Sequence, residues 1–119
     1  PISDDIARLT RDATLPWEED FCLDITIRYW DKARQAGLPV PSDFGAFYRA
    51  VEWTGLQQHL TRLGWLAQST SAWVAAEHAQ LISYVHLVCG RYRELRPLMR
   101  LVEKAEGMQI GTGYAFGRV

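Results

Sequence analysis

The sequence predicts an all-α fold, a single domain of about five helices. Apolar residues recur at helical spacing through most of the 119 residues. Capping residues, glycines and prolines separate the helical segments, and no two segments show the alternation of paired strands. Hydrophobic residues make up 48% of the chain and aromatic residues 12%, which is enough for a packed core. We predict a helical domain at 1–106 and a glycine-rich irregular tail at 107–119.

The first helix is predicted at 3–13. Ser3 is a suitable N-cap, and the two aspartates that follow it favour the positive end of the helix dipole. Ile6, Leu9 and Ala13 recur at helical spacing after them. We therefore expect this helix to have one apolar face formed by these three residues.

The second and third helices are bounded by local signals. Pro16 is expected to open the second helix, which runs to about residue 36. Gly37 is expected to end it as a left-handed C-cap. Ser42 or Asp43 then caps a long third helix with a wide apolar face, which ends near Gly64.

The last two helices are predicted at about 72–95 and from Pro97 onwards. Pro97 is expected to break the fourth helix and to start a short final helix that ends before Gly107. The four glycines among the last thirteen residues indicate an irregular tail.

Composition and motifs exclude several classes of function. The net charge is −1 and the pI is near 6.4, which does not favour a general nucleic-acid binder. The sequence contains no phosphate-binding loop, dinucleotide-binding turn or nucleophile elbow. No apolar run approaches the ~20 residues of a membrane-spanning helix. Cys22 and Cys89 are interpreted as reduced core thiols, with one disulfide as the alternative, so we predict a cytoplasmic protein that does not bind membranes.

Two further groups of residues partly resemble a metal site and a nucleic-acid-binding helix. His86 and Cys89 stand three residues apart, which is at most half a zinc site, so no metal site is predicted. The segment RYRELRPLMR at 91–100 contains four arginines, but Glu94 and Glu103 interrupt the positive charge. A solvated, salt-bridged face is favoured over a basic helix that binds nucleic acid.

The most informative stretch is VEWTGLQQHL at 51–60. Glu52 and His59 are seven residues apart and so share a helix face, and Gly55 between them leaves room for a ligand or a neighbouring helix. Together with Trp53 and Gln57 they supply a carboxylate, an imidazole, an indole and an amide. These groups suit a polyhydroxylated ring, although a polar helix face with a buried tryptophan explains the same pattern.

Several long segments in order resemble the C-terminal part of aminoglycoside phosphotransferase-like kinases. These are PISDDIARLTRDA, WEEDFCLDITIRYWDKARQAGLPVPSDFGAFYRAVEW, GLQQHLTRLG and CGRYRELRPLMRLVE. The resemblance is greatest to the branch that phosphorylates cell-wall amino sugars, the N-acetylmuramate/N-acetylglucosamine kinases. The family fold is two-lobed and protein-kinase-like, so the resemblance implies that this chain forms the helical part of the C-lobe.

The same resemblance implies that the catalytic base and the metal-binding aspartate lie before Pro1, so Pro1 is expected to lie within a longer protein. ATP and Mg²⁺ would then belong to the intact enzyme, and this chain would have no catalytic or metal-binding residue and no activity alone. Substrate-binding roles are implied for Glu52, Trp53, Gln57 and His59. A structural role in holding the catalytic loop is implied for Asp5.

The chain departs from the family at several positions. Asp4 stands where the family usually has an aromatic residue. Gln58 and Thr61 stand where it more often has basic residues. The segment QSTSAWVAAEHAQ is shorter and more apolar than the charged loop of the family.

Two functions follow from the sequence. The first is the substrate-side helical part of a small-molecule kinase, whose partners are the upstream part of the same kinase and a small sugar. The second is a free-standing helical interaction module that forms a homodimer through the apolar face of the first helix.

Overall fold

A computed structural model describes residues 2–15, 17–68 and 72–110. Its helices are α1 (Ile2–Thr10), α2 (Glu19–Gln35), α3 (Phe44–Leu66), α4 (Ala72–Arg91), a short 3₁₀ helix (Arg93–Leu95) and α5 (Arg96–Ile110). The described residues contain five α-helices and no strand, which confirms the predicted all-α class.

The chain divides into two compact units, Pro1–Tyr84 and Val85–Val119. The first unit holds α1, α2, α3 and most of α4. The second holds the end of α4, the 3₁₀ helix and α5. The division into 1–106 and 107–119 stays a prediction, and the tail from residue 111 lies outside the described residues.

The core of the first unit lies where α1 and α2 pack on α3. Ile6 and Ala7 of α1 are buried against Phe47 and Val51, which are one turn apart on α3. From α2, Tyr29 stacks on Phe47 with ring centroids 6.2 Å apart. Burying side chains of this size contributes roughly 1.5–3 kcal/mol each, so this core is what fixes α1 on α3.

Ile6 is only 3% exposed because it belongs to this core, whereas Leu9 is 49% exposed. The prediction that Ile6, Leu9 and Ala13 form one exposed apolar face is therefore wrong. Helical spacing placed the three residues together, but the packing of α1 on α3 separates Ile6 from Leu9.

The connection between α2 and α3 follows its local sequence. Gly37 has a φ of +76°, and its N–H donates to the carbonyl of Arg34. The N–H of Leu38 donates to the carbonyl of Ala33 at 2.9 Å, which completes a Schellman motif. The side chain of Asp43 accepts from the N–H of Ala46 at 2.9 Å. The predicted C-cap of α2 and N-cap of α3 are both confirmed.

The start of α2 and the end of α1 differ from the prediction. Pro16 lies outside the described residues, and α2 begins at Glu19 with Glu18 as its N-cap. α1 ends at Thr10 rather than near residue 13. Beyond it, Asp12 accepts from the N–H and the hydroxyl of Thr14, and this local turn competes with continuation of the helix.

The helices near the C-terminus also end elsewhere than predicted. α4 ends at Arg91 because Tyr92 is extended, with a φ of −120°. Pro97 is the second residue of α5, where a missing N–H costs no helical hydrogen bond. α5 continues through Gly107 to Ile110, so the prediction that it ends before Gly107 is wrong.

Both cysteines are buried free thiols, as predicted. Among the described helices, none combines the length and apolarity that a membrane span requires.

Candidate functional site

The polar stretch of α3 is organised by Arg11, which comes directly after α1. The N–H of Arg11 donates to the carbonyl of Ala7, so the residue continues the last turn of that helix. Gly55 of α3 lies opposite: a Cβ added there would be 3.2 Å from Cγ of Arg11. The space that Gly55 leaves open is thus filled by α1, which is one of the two possibilities that the sequence left open.

Glu52 is buried beside the Arg11 guanidinium. Its carboxylate lies 3.7 Å from Nη2 of Arg11, and both side chains are almost entirely inaccessible. Nη2 also donates to the hydroxyl of Tyr48 at 3.0 Å, and Nη1 to the carboxylate of Glu19 at 3.3 Å. The hydroxyl of Tyr48 donates in turn to Glu19 at 3.1 Å. One guanidinium therefore ties the end of α1 to both α2 and α3.

Burial of Arg11 acts to lower its pKa, but Tyr48, Glu19 and Glu52 together outweigh burial, so the pKa of Arg11 is raised above its ordinary value. Arg11 is therefore a permanent buried cation. An unpaired buried charge would be strongly destabilising, and the carboxylates of Glu19 and Glu52 supply the compensation.

His59 binds the backbone of the same arginine. Its Nε2 lies 2.7 Å from the carbonyl oxygen of Arg11, and its ring stacks on Tyr84 with centroids 4.9 Å apart. Burial lowers the pKa of His59, and the positive charge of Arg11 lowers it further, against the hydrogen bond to Arg11. The imidazole is therefore neutral near pH 7. Because a carbonyl only accepts, Nε2 carries the proton.

An open groove lies beside this network, between α1 and α3, with a volume of about 530 Å³. Its lining is mostly polar and comprises Asp4, Arg8, Thr54, Gln57, Gln58, Thr61, Arg62 and Trp65. The hydroxyls of Ser3 and Thr54 are 3.0 Å apart, and the amide of Gln58 donates to the carbonyl of Asp4 at 3.4 Å. These two bonds join α1 to α3 along the groove.

The far end of the groove is formed by an aromatic ring and an ion pair. Trp65 is 72% exposed, and the guanidinium carbon of Arg62 lies 5.5 Å from its ring centroid. Arg62 donates to both carboxylate oxygens of Glu77, at 2.7 and 3.2 Å. These bonds raise the pKa of Arg62.

A second hollow of about 380 Å³ adjoins the groove, since both are lined by Arg8, Gln58 and Arg62. His59 also lines this hollow. Its Nδ1 has no hydrogen-bond partner within the described part of the chain. Arg11 lines the hollow as well, so the buried network reaches the open surface through both Arg11 and His59.

The structure divides the predicted site residues into two groups. Glu52 is 1% exposed and His59 is 5% exposed, and Arg11 brings them together. Gln57 is exposed and lines the groove. Trp53 is half-buried, and the guanidinium of Arg49 covers its ring at 4.5 Å. That these four residues bind one substrate stays a prediction.

Asp5, for which a structural role was predicted, is exposed in the first turn of α1. That role stays a prediction.

Arg8, Arg11 and Trp65 were not predicted from the sequence as parts of a site. A glutamate inside an apolar helix requires a cationic partner, which is a signal for a residue such as Arg11. No comparable feature of the sequence indicates that Trp65 or Arg8 lies in a groove. Their positions in the sequence do not distinguish them from other residues of a helix surface.

Comparison with known proteins identifies relatives of this chain by sequence. No family model matches the chain, and no solved structure matches it. Curated relatives do match, and each of them is a sugar kinase by name. This chain is homologous to a segment of those kinases.

All three relatives are named N-acetylmuramate/N-acetylglucosamine kinase, which confirms the resemblance stated from the sequence. The protein from Neisseria meningitidis serogroup B is 45% identical over 98% of this chain. That from Pseudomonas putida is 30% identical over 89%, and that from Pseudomonas aeruginosa is 38% identical over 57%.

The chain spans about a third of the length of the first two relatives, 36% and 32%, and 20% of the third. This share fits a C-terminal part of a longer kinase.

Proposed function

We propose that this chain is the substrate-side helical part of an ATP-dependent amino-sugar kinase. The observation that carries the proposal is the 45% identity to an N-acetylmuramate/N-acetylglucosamine kinase over 98% of the chain. An identity of this size over all five helices supports the same local fold and the same position beside the substrate.

The groove between α1 and α3 suits a sugar. Its volume of about 530 Å³ lies within the usual range for small-molecule sites, roughly 300–1,000 Å³. The exposed ring of Trp65 offers an apolar surface for the C–H face of a pyranose. Gln57 and Thr61 offer donors and acceptors for its hydroxyls. We therefore assign the groove as one wall of the acceptor-sugar site.

The buried network has a supporting role in this proposal. Glu52 and His59 bind Arg11 and hold the end of α1 against α3, so that the two lining helices keep a fixed separation. Gln57 is then the member of the predicted set that contacts the sugar. Asp5 orients the preceding part of the intact kinase.

ATP and Mg²⁺ are implied by the kinase relatives, and the described residues do not form a set of ligands for the metal. Among these residues, no three His, Cys, Asp or Glu side chains lie together as metal ligands. We therefore derive no step through the nucleotide or the metal. In this proposal the chain by itself transfers no phosphate, because it does not supply the groups that hold the metal and activate the sugar hydroxyl.

A coupled assay of the full product of the reading frame that contains this sequence tests the proposal. With ATP and Mg²⁺, ADP release is expected with N-acetylmuramate and with N-acetylglucosamine but not with mannitol. Gln57→Ala is expected to raise KM several-fold with a smaller effect on kcat, because it removes binding rather than chemistry. ADP release that no amino sugar increases would contradict the proposal.

A second candidate function is self-association, which the exposed apolar side chains of α2 favour. Leu23 and Ile27 lie one turn apart on this helix, and both are exposed. Exposed apolar side chains that lie together on a helix are typical of interaction surfaces. Sedimentation of the protein at tens of micromolar distinguishes the two candidate functions. A dimer that Ile27→Glu disrupts supports self-association, and a monomer contradicts it.

A further inference from the structure

We propose that Arg8 favours N-acetylmuramate over N-acetylglucosamine at this site, by pairing with the carboxylate that only N-acetylmuramate carries. This inference rests on the proposed function and assigns a specificity-determining residue to it. It concerns the choice between the two sugars, not the transfer of phosphate.

The chemical difference between the two sugars is a lactyl ether. N-acetylmuramate is N-acetylglucosamine with this ether on O3, and the ether ends in a carboxylate that is charged at neutral pH. A groove lined by neutral amides and hydroxyls gains little from that carboxylate. A guanidinium gains two charge-assisted hydrogen bonds, which the neutral sugar cannot form.

Two arginines line the groove, and only one of their guanidinium groups is available to bind a ligand carboxylate. Arg62 already donates to both carboxylate oxygens of Glu77 and lies over the ring of Trp65. Arg8 is exposed and lines the groove. Within the described residues the side chain of Arg8 has no hydrogen bond and no ion pair. A ligand carboxylate would therefore meet Arg8 without displacing an existing bond.

The other residues of the lining do not compete for this role. Thr54, Gln58 and Thr61 are neutral. Asp4 is acidic and so does not bind a carboxylate.

Arg8 also lies in a position to contact a substituent of the sugar rather than its pyranose ring. Arg8 lines both the groove and the adjoining hollow, which contains His59 and Gln58. A pyranose that lies along Trp65 and Gln57 can therefore extend one substituent past Arg8 into the hollow. The geometry places the lactyl group there and leaves the ring in the groove.

The test compares kcat/KM for the two sugars in the full product of the reading frame. Arg8→Gln is expected to lower the ratio of N-acetylmuramate to N-acetylglucosamine by roughly three- to tenfold, the size expected of a partly exposed charge pair. Arg8→Lys retains the charge and is expected to recover part of the ratio. Arg28→Gln is a matched control, because Arg28 is an exposed arginine of α2 paired with Asp24 and lies outside the groove.

The dependence of the sugar preference on ionic strength distinguishes a charge pair at Arg8 from a purely structural role of this residue. Raising ionic strength is expected to reduce the preference of the unmodified protein and to leave that of Arg8→Gln unchanged, because screening acts only on the charge pair. An unchanged ratio in Arg8→Gln, or a change equal to that of Arg28→Gln, overturns this inference while the proposed function stands. A protein inactive on both sugars overturns the proposed function and the inference with it.

Discussion

Arg11 binds Glu52 with its side chain and His59 with its backbone. The guanidinium Nη2 lies 3.7 Å from the Glu52 carboxylate, and the carbonyl oxygen lies 2.7 Å from Nε2 of His59. These two contacts are seven residues apart on α3, so the one residue that follows α1 spans two turns of the longer helix. The residues that the sequence presents as a ligand-binding pair thus form the joint between the two helices.

Removing the Arg11 guanidinium should strongly destabilise the fold. Arg11→Met leaves the Glu52 carboxylate buried without its cation, and breaking a buried pair in this way costs about 3–5 kcal/mol. Urea denaturation followed by circular dichroism measures the loss. Adding Glu52→Met to Arg11→Met should recover much of it, because an apolar pair leaves no buried charge. A single variant within ~0.5 kcal/mol of the unmodified chain would contradict the network.

Stability should fall when the pH drops below about 6.5, the ordinary pKa of histidine. The pKa of His59 is lowered in the folded state, so between the two values the unfolded state binds more protons and gains population. Above pH 6.5 both states are neutral at this residue, and His59 contributes no slope.

His59→Gln is the matched variant for this pH dependence, because its amide retains a donor for the Arg11 carbonyl and does not titrate. The free energy of unfolding between pH 5.5 and 7.5 should be flatter in His59→Gln than in the unmodified chain. Equal slopes would show that His59 is not the buried neutral group described above.

Two glycines of α3 should respond oppositely to alanine. At Gly64 a new Cβ meets no atom within 4 Å, so Gly64→Ala should stabilise the helix by up to about 1 kcal/mol. At Gly55 the Cβ would lie 3.2 Å from Cγ of Arg11 and 4.0 Å from Cβ of Ala7. Because Arg11 is held by its buried partners, Gly55→Ala should be at least ~1 kcal/mol less stable than Gly64→Ala in thermal unfolding.

Gly37 should tolerate asparagine better than alanine. Its φ of +76° belongs to the left-handed region, which costs other L-residues roughly 1–2 kcal/mol and asparagine less. Gly37→Ala should therefore lower the free energy of unfolding by about 1 kcal/mol and Gly37→Asn by less. No atom lies within 4 Å of the added Cβ, so a crowding effect cannot explain such a difference.

The features that the sequence predicted well are local ones. The Gly37 cap and the Asp43 cap depend on a few neighbouring residues, and both were placed correctly. The start of α2 and the end of α5 were not, because a proline or a glycine only biases a helix boundary and the rest of the chain decides it. Gly107 lies inside α5 for this reason.

The surroundings of Glu52 and His59 could be predicted only in part, for a related reason. Spacing alone puts Glu52 and His59 on one face of α3, but it does not show that Arg11 from another helix occupies that face. The groove is likewise formed by residues that are more than forty positions apart, such as Arg8 and Gln57. Such a surface exists only after α1 packs on α3 through Ile6 and Val51.

Titration of the isotopically labelled 119-residue chain with N-acetylglucosamine and N-acetylmuramate, followed by NMR, tests the central claim most directly. We expect saturable shifts of the Trp65 indole and the Gln57 side-chain amide, with the Trp30 indole as an internal control, since its N–H donates to the carbonyl of Pro41 outside the groove. Shifts confined to the groove support its assignment as the sugar-side wall of a kinase. A spectrum unchanged by both sugars at tens of millimolar, or shifts spread evenly over all assigned signals, would contradict it.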